Sequence, residues 1–188
     1  MAKMTFVIGG ARSGKSAFAE GLARKYNDVV YIATAEVKDE EMRDRIQIHR
    51  ARRPFNWKTI EAPFHVDMVV SNPNEKAGLV YIDCITLYIT NMLLSGNAAN
   101  SIGSPDKQSE SLKQRQSQIL DEINKLCKAC RESKSDVIIV SNEVGLGIVP
   151  DNALSRVFRD IAGSANQILA DEADEVYFMV AGIAQRIK

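Results

Sequence analysis

Short apolar runs alternate along this chain with longer stretches in which apolar residues recur every three or four positions. The runs at 4–8, 29–33, 57–60, 79–83, 137–141 and 176–180 have the length and composition of buried strands. Between the first two, Phe18, Leu22 and Tyr26 recur every four residues with Ala19 and Ala23 alongside, which predicts a helix with one apolar face. Asp39 can cap a helix through about residue 50, on which Met42, Ile46 and His49 share a face. Segments 64–70 and 86–94 read as short helices. Leu112, Ile119, Ile123, Leu126 and Cys130 mark a longer one, and Leu154, Val157, Phe158, Ile161, Ile168 and Leu169 another. After Gly182 the chain turns, and 183–188 is expected to return as an antiparallel edge strand. Strands and helices in alternation predict an α/β fold, a mainly parallel sheet with helices on both faces. Residues 95–111, rich in Gly, Asn, Ser and Pro, predict a loop that is either a surface connection or a substrate lid.

Composition narrows the classes. A length of 188 residues fits one domain spanning 1–188. The 24 basic and 24 acidic side chains cancel, so nothing in the overall charge draws the chain to nucleic acid or anionic lipid. No run approaches the roughly 20 apolar residues of a membrane helix, and no signal-peptide pattern precedes the first strand, so the cytoplasm is the expected compartment. Cys84, Cys127 and Cys130 suggest no disulfide framework. Cys127 and Cys130 have the spacing of half a zinc or redox site, but they fall within a helical pattern where two small apolar residues are the simpler reading.

The chemistry concentrates in residues 9–16, Gly-Gly-Ala-Arg-Ser-Gly-Lys-Ser, between the first strand and the first helix. Gly9 and Gly14 let the backbone turn N–H groups toward a phosphate, and Gly10, Ala11, Arg12 and Ser13 complete the loop. Lys15 would reach the β- and γ-phosphates of a nucleotide, and the Ser16 hydroxyl would hold Mg²⁺. The fold is therefore expected to be P-loop NTPase-like.

The fourth strand ends in Asp83, the position of a carboxylate that ligates Mg²⁺ directly or through water. His49 lies beside Arg50, Arg52 and Arg53, a positive cluster that attracts phosphates. Its imidazole is either a packed core group or, when neutral, a nucleophile for an α-phosphate. His65 starts a short amphipathic segment and reads as partly buried structure.

The loop at 9–16, Tyr-Ile-Ala-Thr-Ala at 31–35, Arg-Ile-Gln-Ile-His-Arg at 45–50, Asn-Glu-Val-Gly-Leu-Gly-Ile-Val-Pro at 142–150 and Phe-Arg-Asp-Ile-Ala-Gly at 158–163 together carry a resemblance. In this order they resemble the bifunctional adenosylcobinamide kinase / adenosylcobinamide-phosphate guanylyltransferase family of cobalamin synthesis. The resemblance implies two reactions. One phosphorylates the aminopropanol hydroxyl of adenosylcobinamide with ATP or GTP. The other takes GMP from GTP onto a histidine and passes it to the phosphorylated corrinoid. It assigns the nucleotide-accepting role to His49 and nucleotide contacts to residues 9–16, Ala33, Thr34, Ala35, Arg50, Ala51, Arg52, Glu61 and Asp83. It also implies a homo-oligomer, a trimer with sites near subunit boundaries. Ile48 stands where relatives often carry a second histidine, and Asp83 where they commonly carry Glu. A kinase without nucleotidyl transfer and a nucleotide-dependent switch ATPase are the competing readings of the same loop.

Overall fold

The computed structural model describes residues 2–36, 40, 43–44, 47, 50, 53–72, 77–95 and 105–188, the side chains of 105–109 excepted. In chain order the strands are β1 (Met4–Gly9), β2 (Val29–Ala33), β3 (Lys58–Glu61), β4 (Leu79–Asp83), β5 (Asp136–Asn142), β6 (Glu175–Val180) and β7 (Ile183–Arg186). The helices are α1 (Lys15–Ala23), α2 (Val66–Ser71), α3 (Ile85–Leu94), α4 (Pro105–Glu132) and α5 (Ala153–Glu172). The strands form one seven-stranded sheet in the order β3-β2-β4-β5-β1-β6-β7. Every neighbouring pair is parallel except β6 and β7, the antiparallel edge expected from the turn at Gly182.

Strand period two divides the core between the two faces of the sheet. Met4, Phe6 and Ile8 of β1 and Val80 and Ile82 of β4 pack with Ile85, Ile89, Ile123, Leu126, Ile161 and Leu169 from α3, α4 and α5. Val7, Leu79 and Tyr81 face the other way, onto Ala19 and Ala23 of α1 and onto Trp57. Both faces being covered, the central strands read as unbroken apolar runs.

Helix α1 lies on the sheet through Ala19 and Ala23, with half-buried Phe18 and Leu22 and, beyond the helix, Tyr26 packed against the same cluster, as the four-residue spacing predicts. Three expectations shift. That helix stops at Ala23, and Tyr26 beyond it also donates its hydroxyl to Asp136 Oδ2 at 2.7 Å. The third strand begins at Lys58, one residue late, with Trp57 buried before it. The segment read as a loop through residue 111 is helical from Pro105. Proline suits the first helical position, where its missing N–H costs nothing, and the polar residues after it carry no apolar stripe to reveal the helix. Of the segment expected to be helical from Asp39, the described residues Glu40, Arg43, Asp44, Gln47 and Arg50 are helical. Asp39, Met42, Ile46 and His49 lie outside the described residues.

Candidate active site

The phosphate loop is built by backbone restraint at both ends. Gly9 ends β1, where an added Cβ would lie 2.7 Å from the Met179 carbonyl oxygen and 2.7 Å from Ser13 Oγ, so only glycine fits. Gly14 sits at φ 92, ψ 2, a left-handed conformation that glycine adopts without steric cost. Its C=O accepts from Phe18 N–H at 3.0 Å, starting α1, while Ser13 C=O accepts from Gly182 N–H at 2.9 Å. The β6–β7 turn therefore braces the loop from the opposite end of the sequence. Arg12, at φ 56, and Ala11 are exposed at the loop's crown, and Ser16 is half-buried in the first turn of α1.

Lys15 is 8% exposed and its Nζ donates to the Gly10 carbonyl at 2.9 Å. The ammonium is thus held across the loop's mouth. Burial pushes its pKa below the ordinary lysine value, while the charges of Cys84 and Asp83 act the other way. A poorly solvated cation of this kind gains most from an arriving phosphate.

Parallel register gathers the remaining candidates at one edge. Ala33 pairs with Asp83 on one side and with Glu61 on the other, so the carboxyl ends of β3, β2 and β4 place Glu61, Ala33 and Asp83 side by side. Such an edge is the usual ligand crevice of an open parallel sheet. Glu61 is exposed and Asp83 half-buried. Asp83 Oδ2 accepts the Tyr31 hydroxyl at 2.7 Å, and the Arg53 guanidinium lies 3.5 Å above the Tyr31 ring. Burial, then the Asp83 charge, raises the Tyr31 pKa far above the ordinary tyrosine value, so the phenol remains a donor to the carboxylate. Ser16 and Asp83 offer hard oxygen donors, the set that suits Mg²⁺ alongside nucleotide phosphates and water.

Thr34 is fully buried and acts as a clamp between strands. Its N–H donates to Asp83 C=O at 3.1 Å, and its hydroxyl donates to Cys84 C=O at 2.7 Å and accepts from Cys84 N–H at 2.8 Å. Buried Asn91 of α3 donates from Nδ2 to both Thr34 C=O, at 2.7 Å, and Pro63 C=O, at 3.2 Å. The ends of β2 and β4 and the segment after β3 are thereby locked together. Ala35 is half-buried beyond this clamp, and Arg50 is exposed on its helix. His49, Ala51 and Arg52 lie outside the described residues.

Asn91 had no signal of its own in the sequence, since an asparagine in an apolar helix reads as ordinary core, and nothing there joined Tyr31 to Asp83 or the turn at Gly182 to the phosphate loop. His65 is not partly buried as expected. It is exposed at φ 53, directly before α2, because the chain makes a left-handed turn there. The three cysteines are free and buried, as the apolar reading of Cys127 and Cys130 requires, and burial holds the Cys127 thiol up at about 12.

Solved structures share this architecture at low identity. An ATPase from the type III secretion system of pathogenic bacteria superposes with a TM-score of 0.55 at 10% identity, covering 94% of this chain; the chain spans 50% of that longer protein. A Pyrococcus horikoshii protein gives 0.50 at 9% identity, covering 99% of this chain and 86% of its own. Sequence relatives are much nearer. The bifunctional adenosylcobalamin biosynthesis protein CobU of Salmonella typhimurium is 43% identical over 185 residues, covering 98% of this chain and 99% of its own. Its Escherichia coli namesake is 43% identical over 188 residues, with the same coverage. The CobP protein of Pseudomonas aeruginosa, also described as a bifunctional adenosylcobalamin biosynthesis protein, is 38% identical over 183 residues, covering 97% of this chain and 95% of its own. The family model described as cobinamide kinase / cobinamide phosphate guanyltransferase matches residues 5–187, from the first strand to the last, and the chain with its phosphate loop belongs to that family.

Proposed function

We propose that this chain phosphorylates adenosylcobinamide with ATP or GTP and then transfers GMP from GTP to the product, giving adenosylcobinamide-GDP in cobalamin synthesis. The observation that carries the reading is the braced loop holding a buried Lys15, within electrostatic reach of Asp83, in a chain that matches this family over residues 5–187.

For the kinase step, loop N–H groups and Lys15 bind the nucleotide phosphates and counter the charge on the transferring phosphoryl group. The corrinoid hydroxyl oxygen forms the new P–O bond, the bond to the nucleoside diphosphate breaks, and the hydroxyl proton leaves to solvent. Ser16 and Asp83 would hold Mg²⁺, which neutralises phosphate charge when bound.

For the second step the reading assigns the nucleophile to His49. A ring nitrogen forms a bond to the α-phosphorus of GTP and pyrophosphate departs. A phosphate oxygen of the corrinoid then forms a bond to that phosphorus and the bond to His49 breaks. Splitting the transfer avoids aligning GTP and a bulky corrinoid phosphate together. Arg50 and Arg52 supply the positive charge that counters the phosphates in this reading. Ala33, Thr34, Ala35, Ala51 and Glu61 complete the nucleotide-contacting set in this reading.

Among the described residues no helix is long and apolar enough to cross a membrane, and we place the enzyme in the cytoplasm. We also read it as a homo-oligomer, a trimer, to which exposed Leu146, Ile148 and Val149 supply apolar surface. Sedimentation tests that state. The function is tested with GTP labelled at the α-phosphate: wild-type protein becomes labelled in an acid-labile bond, and His49→Asn takes up no label while still phosphorylating the corrinoid. Label on His49→Asn moves the nucleophile elsewhere. No label on wild type, with phosphorylation intact, reduces the protein to a kinase.

A further inference from the structure

A cavity of about 290 Å³, to which no residue of the phosphate loop contributes, opens between the segment entering α2, the helix α3 and the middle of α4. Phe64, Met92 and Ile119 give it apolar walls, and His65, Tyr88 and Glu122 bring polar groups to it. One donor atom each from His65, Asp67 and Glu122 lies within 4.8 Å of the others. Two elements remote in sequence meet here, a His-x-Asp pair at the start of α2 and a glutamate on α4.

We propose that His65, Asp67 and Glu122 hold a divalent first-row transition cation of the Zn²⁺ type, distinct from the Mg²⁺ of the phosphate loop. Two observations besides the cluster support the site. Tyr88 lines the cavity with 0% exposure, and its hydroxyl proton has no acceptor among the described residues, the backbone N–H groups of His65 and Val66 being directed at its oxygen. Asp67 Oδ1 is likewise buried without a partner among them. Buried polar atoms are seldom left so, and an anionic oxygen without a donor is the costlier case. A cation satisfies Asp67. A water or ligand oxygen on that cation would accept the Tyr88 proton.

The chemistry of the donors selects the metal. One imidazole with two carboxylates suits zinc and its neighbours, whereas the all-oxygen set at Ser16 and Asp83 suits Mg²⁺. Tetrahedral bonds near 2.1 Å put ligand atoms about 3.4 Å apart, so groups within 4.8 Å of one another close by at most about 1.4 Å on binding. His65 is exposed, where such a movement meets least packing. Glu122 accepts from Lys125 Nζ at 2.7 Å, but Lys125 is 62% exposed, and an ion pair so open to water is weak enough for a dication to displace. Three protein ligands would leave at least one position for water or another ligand.

The test is a Zn²⁺ titration of the chelator-stripped, nucleotide-free chain, with Mg²⁺ in excess to fill the phosphate-loop site. One Zn²⁺ per chain is expected. His65→Ala and Glu122→Gln should each weaken it by more than about tenfold, and Asp83→Asn should leave it unchanged. Lys125→Ala, which removes a competing cation from the surface, should tighten it. Wild-type protein that binds no Zn²⁺ overturns the proposal. So does Zn²⁺ affinity indifferent to His65→Ala and Glu122→Gln, or unchanged by Lys125→Ala. The result is separate from the corrinoid reactions: loss of guanylylation in His49→Asn says nothing about this site, and absence of Zn²⁺ binding leaves the phosphate loop as described.

Discussion

The contact between Gly14 and Gly182 allows a sharp test of the braced loop, because both glycines are left-handed and only one is crowded. Gly14 lies at φ 92 with Gly182 Cα 3.1 Å from the position an added Cβ would take; Gly182 lies at φ 83 with nothing within 4 Å. Gly182→Ala therefore meets the backbone cost alone, about 1–2 kcal/mol for an L-residue in this region. In a chain of this size that lowers Tm by about 2–8 °C. Gly14→Ala meets the same cost and a contact too short for carbon, whose favourable separation is about 3.5–4.0 Å, so one backbone must retreat by about 0.4–0.9 Å. The retreating group is tied to Ser13 by the Gly182 N–H bond, and the displacement passes directly into the loop's inward N–H groups. Nucleotide affinity should fall by more than about tenfold, or 1.4 kcal/mol, in Gly14→Ala and much less in Gly182→Ala. Thermal melts and titration with a fluorescent GTP analogue give both quantities. If Gly14→Ala binds nucleotide like wild type, or Gly182→Ala is the worse of the two, the brace is not what shapes the loop.

Three further outcomes follow from the same geometry. Burial lowers the Lys15 pKa and only the charged form serves the phosphates, so kcat/KM for nucleotide should decline as pH rises through that lowered value, before ordinary lysines titrate; a Lys15→Ala variant should be strongly impaired and lack this limb. Tyr31→Phe keeps the ring against Trp57, Tyr81 and Arg53 but deletes the donor to Asp83, a charged hydrogen bond worth about 1.5–3 kcal/mol, with the lower end expected because Asp83 is half-buried. The Mg²⁺ concentration for half-maximal activity should shift with it; an unmoved curve assigns the bond to stability alone. Asn91→Leu strips donors from two carbonyls at a buried junction and should cost about 2–5 kcal/mol in urea unfolding, whereas a loss below about 1 kcal/mol would mean water or a rearranged neighbour replaces it.

Elements whose pattern is local could be read directly from the order of residues. Apolar runs of strand length, four-residue recurrence in helices and the glycines around Lys15 are consequences of neighbouring residues, and β1, β2, β4, the α/β alternation and the loop were legible for that reason. Even there the local pattern missed the start of α4, where polar residues carry no apolar stripe. Which strands stand side by side is a matter of long-range packing. The order β3-β2-β4-β5-β1-β6-β7 brings Glu61, Ala33 and Asp83 into one row and carries Gly182 back to Gly14 across most of the chain. It also sets Tyr31 on Asp83, Asn91 between two strand ends, and Glu122 beside His65 and Asp67. These are pairings between side chains distant along the chain, fixed by sheet register and helix packing, and a one-dimensional pattern of polar and apolar positions contains no term for them.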